Sequence, residues 1–232
     1  MKRSKKYTDL ASLIDRDKKY SPKQAIDILF DNIKSTFSES IEVHFKLGID
    51  PRHADQQLRG THTLPNGTGK SKTILVIAEG ENAKLAQDNG ADFVGTDEYI
   101  EKIQKGWFDF DLIITTPNQM RKLGRLGKTL GSKGLMPNPK AGTVTTDIEK
   151  TVKEFKSGKF EYRNDKEGNM HIVIGNVKFE KNQILENFDN LYEFMLKEKP
   201  SKSKGAYFES ISLCSTQSPS IFIEPLKIKW DD

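Results

Sequence analysis

The residues that could carry chemistry are few and scattered. The one cysteine, Cys214, sits in an alternating Ile211, Leu213, Ser215 run with no histidine near it in the sequence. It reads as a strand thiol, not a nucleophile, and rules out an internal disulfide. The four histidines, His44, His53, His62 and His171, lack metal-ligand spacing and cysteine partners, so no metal centre is expected. Gly69-Lys70-Ser71 and Gly127-Lys128-Thr129 both look like the end of a phosphate-binding P-loop. That loop needs a glycine five positions before its Gly-Lys pair, and those positions hold Leu64 and Lys122. Lys70 also precedes an expected strand, where a P-loop lysine opens a helix. No Gly-x-Gly-x-x-Gly turn is present to cradle a dinucleotide. The expectation is therefore no catalytic residues, no metal and no cofactor.

Charge points elsewhere. The chain has 37 basic and 33 acidic residues, a net charge of +4, yet Leu112 to Thr146 contains no Asp or Glu. That stretch carries Arg121, Lys122, Arg125, Lys128, Lys133 and Lys140, interleaved with glycines that let a backbone approach a ligand. A solvated basic face is the plain alternative; the interleaving favours contact with a polyanion. Apolar runs such as Ile74 to Ala78 and Leu112 to Ile114 are too short to cross a bilayer, and no membrane partner is expected. Met-Lys-Arg-Ser-Lys-Lys at the N-terminus is basic, but no apolar run follows it, so it does not read as a secretory signal.

Two styles of element would position these residues. Ser21-Pro22-Lys23-Gln24 predicts a capped helix start, followed by an apolar face of Ala25, Ile26, Leu29, Phe30 and Ile33. Ile41, Val43, Phe45, Leu47 and Ile49 then alternate with Glu42, His44, Lys46 and Gly48, a strand with one dry and one polar face. From about Lys70 the pattern changes. Continuous apolar strands at Thr73 to Ala78 and Phe110 to Thr115, and a short one at 92–95, alternate with short helices, which predicts a parallel sheet covered on both faces. After Gly158 the alternating style returns. Phe160 and Tyr162 lead into a hairpin turn at Arg163 to Gly168 with a return strand from His171 to Phe179, then an amphipathic helix from Asn182 to Lys197. The reading is a split α+β sandwich domain, 1–67 plus 159–232, interrupted by an inserted three-layer, Rossmann-like α/β domain at 68–158.

Gly131-Ser132-Lys133-Gly134-Leu135-Met136-Pro137-Asn138-Pro139-Lys140-Ala141-Gly142-Thr143-Val144 closely resembles the signature of the L-one family of large-subunit ribosomal proteins. Phe37 to Gly60, Gly106 to Asp111 and Phe160 to Lys166 resemble the same family in the same order. The resemblance implies a split domain that binds the stalk of large-subunit rRNA directly. It also implies an inserted domain that swings toward exit-site tRNA within a 50S-type subunit, and, in bacterial relatives, repression of the protein's own mRNA. By resemblance, rRNA contacts fall on Phe37, Glu42, Asp165, Lys166 and Thr216, with Gln217 and Ser218 beside it. Lys46 and Arg52 are added from position and charge. The tRNA side falls on the basic stretch, from Arg121 to Lys140. The rRNA contacts, being mainly Phe, Glu, Asp and Thr, suit sugar and base edges of folded RNA better than bare phosphate. The family usually carries Met-Gly where this chain has Gln217-Ser218, which removes backbone freedom at that edge.

A nucleotide-binding enzyme is the competing class, and the failed P-loops and missing glycine turn count against it. Met1 aligns near the family start, so no transit peptide is expected. Lysine outnumbers arginine 30 to 7, with many Asn and Ile, so a plastid genome is the first expectation and an AT-rich bacterium the second. The place of action is then the chloroplast stroma or the bacterial cytoplasm.

Overall fold

Ser21 caps α2 (Pro22–Asn32) as predicted: its side chain accepts from the Gln24 N–H, and the Gln24 side chain accepts from the Ser21 N–H. Proline at the first turn donates no N–H where none is needed. The computed structural model describes residues 4–33, 36–203 and 205–225. The first three residues of the basic N-terminal segment therefore lie outside the described residues. A shorter helix, α1 (Lys5–Leu13), precedes α2. The described chain divides into two units: one takes the chain up to Leu58, Leu64–Gly69 and everything from Tyr162 on; the other takes Arg59–Thr63 and Lys70–Glu161.

The first unit is built on an antiparallel sheet. Its strands are β1 (Ser40–Leu47), β7 (Asn169–Asn176), β8 (Phe208–Ser215) and β9 (Ile221–Ile223), in the order β7-β1-β8-β9. Because opposed residues share a face, the register sorts the sheet into rows. Ile172, Val43, Leu213 and Ile221 form one apolar row, and Met170, Phe45, Ile211 and Ile223 form the next. These side chains are buried, as are Ile26 and Leu29 of α2 and Phe188, Leu191 and Met195 of α8 (Lys181–Lys197). Helix α8 follows its predicted bounds closely, since its apolar face repeats at helical spacing.

In the second unit β3 (Ile74–Ile77), β4 (Phe93–Gly95) and β5 (Leu112–Thr115) make a parallel sheet in the order β4-β3-β5. Strand β3 is apolar throughout because both its faces are covered. On one face Leu75, Ile77 and Ile113 pack with Ile100 and Ile103 of α4 (Asp97–Gln104) and with Leu123, Leu126 and Leu130. On the other, Ile74, Val76 and Ile114 pack with Ala86 of α3 (Glu81–Asp88) and with Val152 and Phe155 of α7 (Ile148–Lys156). This is the three-layer α/β arrangement the continuous apolar strands imply.

Two expectations need correction. Arg163 to Gly168 does not close a hairpin: β6 (Lys159–Arg163) pairs with β2 (Arg59–Thr63), while β7 pairs with β1. The turn itself is present, with the Asp165 N–H donating to Asn169 O at 2.8 Å. The buried Asn164 explains the divergence, because its N–H donates to Leu58 O at 3.2 Å and its Oδ1 accepts from Leu58 N–H at 2.7 Å. Those bonds draw β6 to the strand after Leu58. Because β2 pairs with β6, Arg59–Thr63 falls with Lys159–Glu161 in the second unit, whereas the sequence predicts a first domain of 1–67 plus 159–232.

Gly69 has φ +71°, and a Cβ there would lie 2.3 Å from Asn176 Nδ2 and 2.7 Å from the Phe179 ring. Gly69→Ala is expected to cost about 1–2 kcal/mol, from the left-handed backbone and the displaced ring together. Chemical denaturation of the two proteins checks this; equal midpoints would show that the neighbours yield freely.

Candidate nucleic-acid interface

The rows between the apolar ones define the polar face of the four-stranded sheet. Glu42 lies between Val173 and Cys214, His44 between His171 and Ser212, and Lys46 between Asn169 and Ser210. All three β1 side chains are partly exposed, so the alternation read from the sequence gives a usable polar surface. At about 3.4 Å per residue, the run from Ser40 to Lys46 spans about 20 Å.

One end of that face is tied to the bend after β8. Ser40 N–H donates to Thr216 Oγ1 at 3.1 Å, and Thr216 N–H returns a bond to Ser40 O at 3.2 Å. Glu39, which is 4% exposed, takes the Ser215 hydroxyl as a donor and also accepts from Gln217 N–H at 3.1 Å. Ser218 Oγ accepts from Ser215 N–H at 2.8 Å and donates to Pro219 O at 3.1 Å. Thr216 and Ser218 therefore stabilise their own bend, while Gln217 is exposed. The bend brings Thr216, Gln217 and Ser218 to the segment that carries Phe37 and Glu42, and Phe37 is 47% exposed. Glu39 gives no sign in the sequence that it belongs to this site. An acidic residue just ahead of a dry-faced strand does not announce that it will be buried as the acceptor for a bend far along the chain.

The other end gathers Lys46, Asp165 and Lys166. Lys46 Nζ donates to the Glu167 carbonyl, so the lysine is held against the turn that follows β6. The Asp165 carboxylate accepts from the N–H groups of Glu167 and Asn169, each at 2.8 Å, and from Asn169 Nδ2 at 2.9 Å. Its first duty is to shape that turn, and Lys166 projects from it exposed. Arg52 stands apart on the loop beyond β1. Its guanidinium forks onto Asp50, with Nη2 at 2.7 Å from Oδ2, and those hydrogen bonds hold the Asp50 carboxyl down at about 2.

Between the two ends Cys214 is the strand thiol the alternation predicts, on β8, but the fold sets a histidine against it that is far off in the sequence. His44 Nε2 lies 3.2 Å from Cys214 Sγ, and His44 Nδ1 lies 2.8 Å from His171 Nδ1. Strand pairing brings together residues 170 positions apart, which local sequence cannot register. Burial, with His171 adding to it and Glu42 opposing, lowers the His44 pKa. Burial and then Glu42 push the Cys214 thiol up to about 11, so it stays protonated.

In the second unit the basic stretch is helical more than looped. Arg121 and Lys122 lie on α5 (Pro117–Leu123), Arg125 on a 3-10 turn, Lys128 on α6 (Gly127–Ser132), and Lys133 immediately after it. Lys140 lies on a second 3-10 turn, Pro139–Ala141. Lys122 departs from the others: its Nζ is 3.1 Å from both Glu79 and Asp97, which raises its pKa through those hydrogen bonds. Arg121, Arg125, Lys128, Lys133 and Lys140 are exposed, and Lys133 also lies 4.4 Å over the Phe108 ring. A Cβ placed on Gly124, Gly127 or Gly131 would meet nothing, so bare backbone faces outward among these bases.

Open α/β sheets take nucleotides beyond the carboxyl ends of their strands. Here Glu79 and Glu81 flank the Gly80 that opens α3 after β3, and Asp97 follows β4, both Glu79 and Asp97 being bound by Lys122. That arrangement repels a phosphate where a nucleotide enzyme would need to hold one. Among the described residues no group of three or more His, Cys, Asp or Glu could hold a metal ion, and no helix is long and apolar enough to cross a membrane.

A polar sheet face rich in hydroxyl, carboxylate and imidazole groups, on a chain that also carries an exposed basic stretch, is the equipment of an RNA-binding protein. The family described as Ribosomal protein L1p/L10e matches residues 29–219, and the chain belongs to it. It is accordingly a structural constituent of the large ribosomal subunit that binds rRNA and serves translation, in a family that is not one of enzymes.

Proposed function

We propose that the first unit holds the stalk region of large-subunit rRNA along the polar sheet face, from Phe37, Glu42 and the Thr216-Gln217-Ser218 bend to Lys46, Asp165 and Lys166. The observation that carries this reading is the pair of hydrogen bonds between Ser40 and Thr216, which joins two resemblance-derived contact segments 176 residues apart. Arg52 belongs to the proposal only as a flanking charge, since Asp50 already engages it. Glu42 would be repelled by a bare phosphate and suits a 2′-hydroxyl or a base amine. Glu42→Ala is expected to weaken binding to a stalk rRNA fragment by about 1–3 kcal/mol with thermal stability unchanged. Unaltered affinity would put the RNA elsewhere.

The second unit's exposed bases are proposed to face exit-site tRNA as that unit moves, assisting the tRNA's movement and release. Lys122 contributes least, because two carboxylates share it. Contact there is mainly electrostatic and should fall by roughly 0.7–0.9 logarithmic units per phosphate contact for each decade of salt. Replacing Lys128, Lys133 and Lys140 together by Gln is expected to reduce tRNA occupancy on reconstituted ribosomes and leave stalk rRNA affinity almost unchanged. Lost rRNA affinity with normal occupancy would reverse the two roles. The chain is further proposed to act in a plastid ribosome, on the strength of its 30 lysines against 7 arginines, and to share its relatives' capacity to bind their own mRNA.

A further inference from the structure

The polar face carries a row of groups whose protons can be placed by elimination. His44 Nδ1 and His171 Nδ1 face each other at 2.8 Å, so one proton lies between them and one ring donates. On its far side His44 Nε2 meets Cys214 Sγ at 3.2 Å. On its own far side, His171 Nε2 lies 3.9 Å from the Asp165 carboxylate. Only two orders are open to neutral rings. If His171 donates to His44, then His44 must point an N–H at a thiol that still bears hydrogen. His171 would also turn a bare lone pair toward a carboxylate. If His44 donates instead, its Nε2 accepts from the thiol, and His171 carries its proton on Nε2, where Asp165 attracts it. Every contact is favourable in the second order, and two are poor in the first.

We infer that Cys214 and His44 are positioning residues that hold His171 in the tautomer with its proton on Nε2, presenting that N–H as a donor to an acceptor oxygen of bound RNA. This rests on the proposed placement of RNA along the sheet face, because His171 lies on the middle polar row of that face, beside Asp165 at its Lys46 end, and its side chain is 57% exposed. His44 has both nitrogens engaged within the protein and does not itself touch RNA. His44 acts on His171 as an orienting partner acts on a ligand histidine: it decides which nitrogen bears the proton.

The test uses the full chain at pH 8, above the ordinary imidazole range. Long-range nitrogen–proton NMR correlations report the His171 tautomer directly, and filter binding with a stalk rRNA fragment reports affinity. The unmodified chain is expected to show the Nε2–H tautomer. Cys214→Val, which fills the same space without a donor, should give mixed tautomers and roughly fivefold weaker binding, the effect of one ill-directed hydrogen bond. Cys214→Ser restores a donor and should restore both. A proton on His171 Nδ1 in the unmodified chain overturns the inference, as does a Cys214→Val protein with unchanged tautomer and affinity. If the unmodified chain fails to bind the RNA at all, the placement of RNA on this face falls, and the tautomer measurement alone judges the proton order.

Discussion

Glu39→Ala is expected to weaken stalk rRNA binding at least tenfold and to lower folding stability by about 2–3 kcal/mol, the cost of stranding buried donors beside a lost charged acceptor. Glu39 accepts both the Ser215 hydroxyl and the Gln217 N–H, and it is 4% exposed. Without that acceptor the bend that carries Thr216 to Ser218 still keeps its bonds to Ser40 and within itself. Glu39→Gln retains an acceptor oxygen and should recover most of both losses. The pair separates positioning from charge: were Gln as damaging as Ala, the negative charge and not the bond geometry would be what the bend needs. Urea titration and filter binding on the same preparations give the two readouts.

Phe188→Ala is expected to destabilise the first unit by about 3–5 kcal/mol, the range for removing a fully buried ring. Phe188 is 0% exposed on α8, and its ring stacks with Tyr192 at 6.1 Å, which in turn stacks with Phe208 of β8 at 5.0 Å. Truncation opens a cavity between the helix and the dry face of the sheet. Binding of RNA should track the folded fraction and reach normal affinity when low temperature or osmolyte restores folding. Calorimetry checks the magnitude. A loss below about 1 kcal/mol would mean that α8 collapses into the gap.

The parts of this fold legible in the sequence are those set by local periodicity. Alternation along β1 announced a polar face, and the Ser21 to Gln24 box announced where α2 begins, because each depends on residues within a few positions. Continuous apolar strands announced a sheet covered on both sides. Partner choice was not legible. The Asp165 turn was visible as a reversal, yet the buried Asn164 sends β6 to β2, and nothing in the turn specifies Leu58 as its partner. Strand β2 itself, Arg-Gly-Thr-His-Thr, has no apolar alternation to mark it. The proposed RNA-binding face shows the same division. Glu42 could be placed on it from strand period, whereas the His44–Cys214 contact and the Glu39 bond to Ser215 join residues 170 and 176 positions apart. Acid-free composition located the basic stretch and could not show that two distant carboxylates take Lys122.

Equilibrium binding of the full chain to a stalk rRNA fragment, against a scrambled RNA of equal length and composition and across a salt series, tests the sheet face directly. A protein that recognises the fold of the stalk through sheet-face hydroxyl, carboxylate and imidazole groups should prefer the stalk fragment by about 100-fold or more, roughly 2.7 kcal/mol. Its salt slope should be shallow, corresponding to about one to three phosphate contacts, because little of that face is cationic. Equal affinity for the two RNAs, with a slope steep enough for six or more contacts, would contradict the account and move the binding to the basic stretch of the second unit.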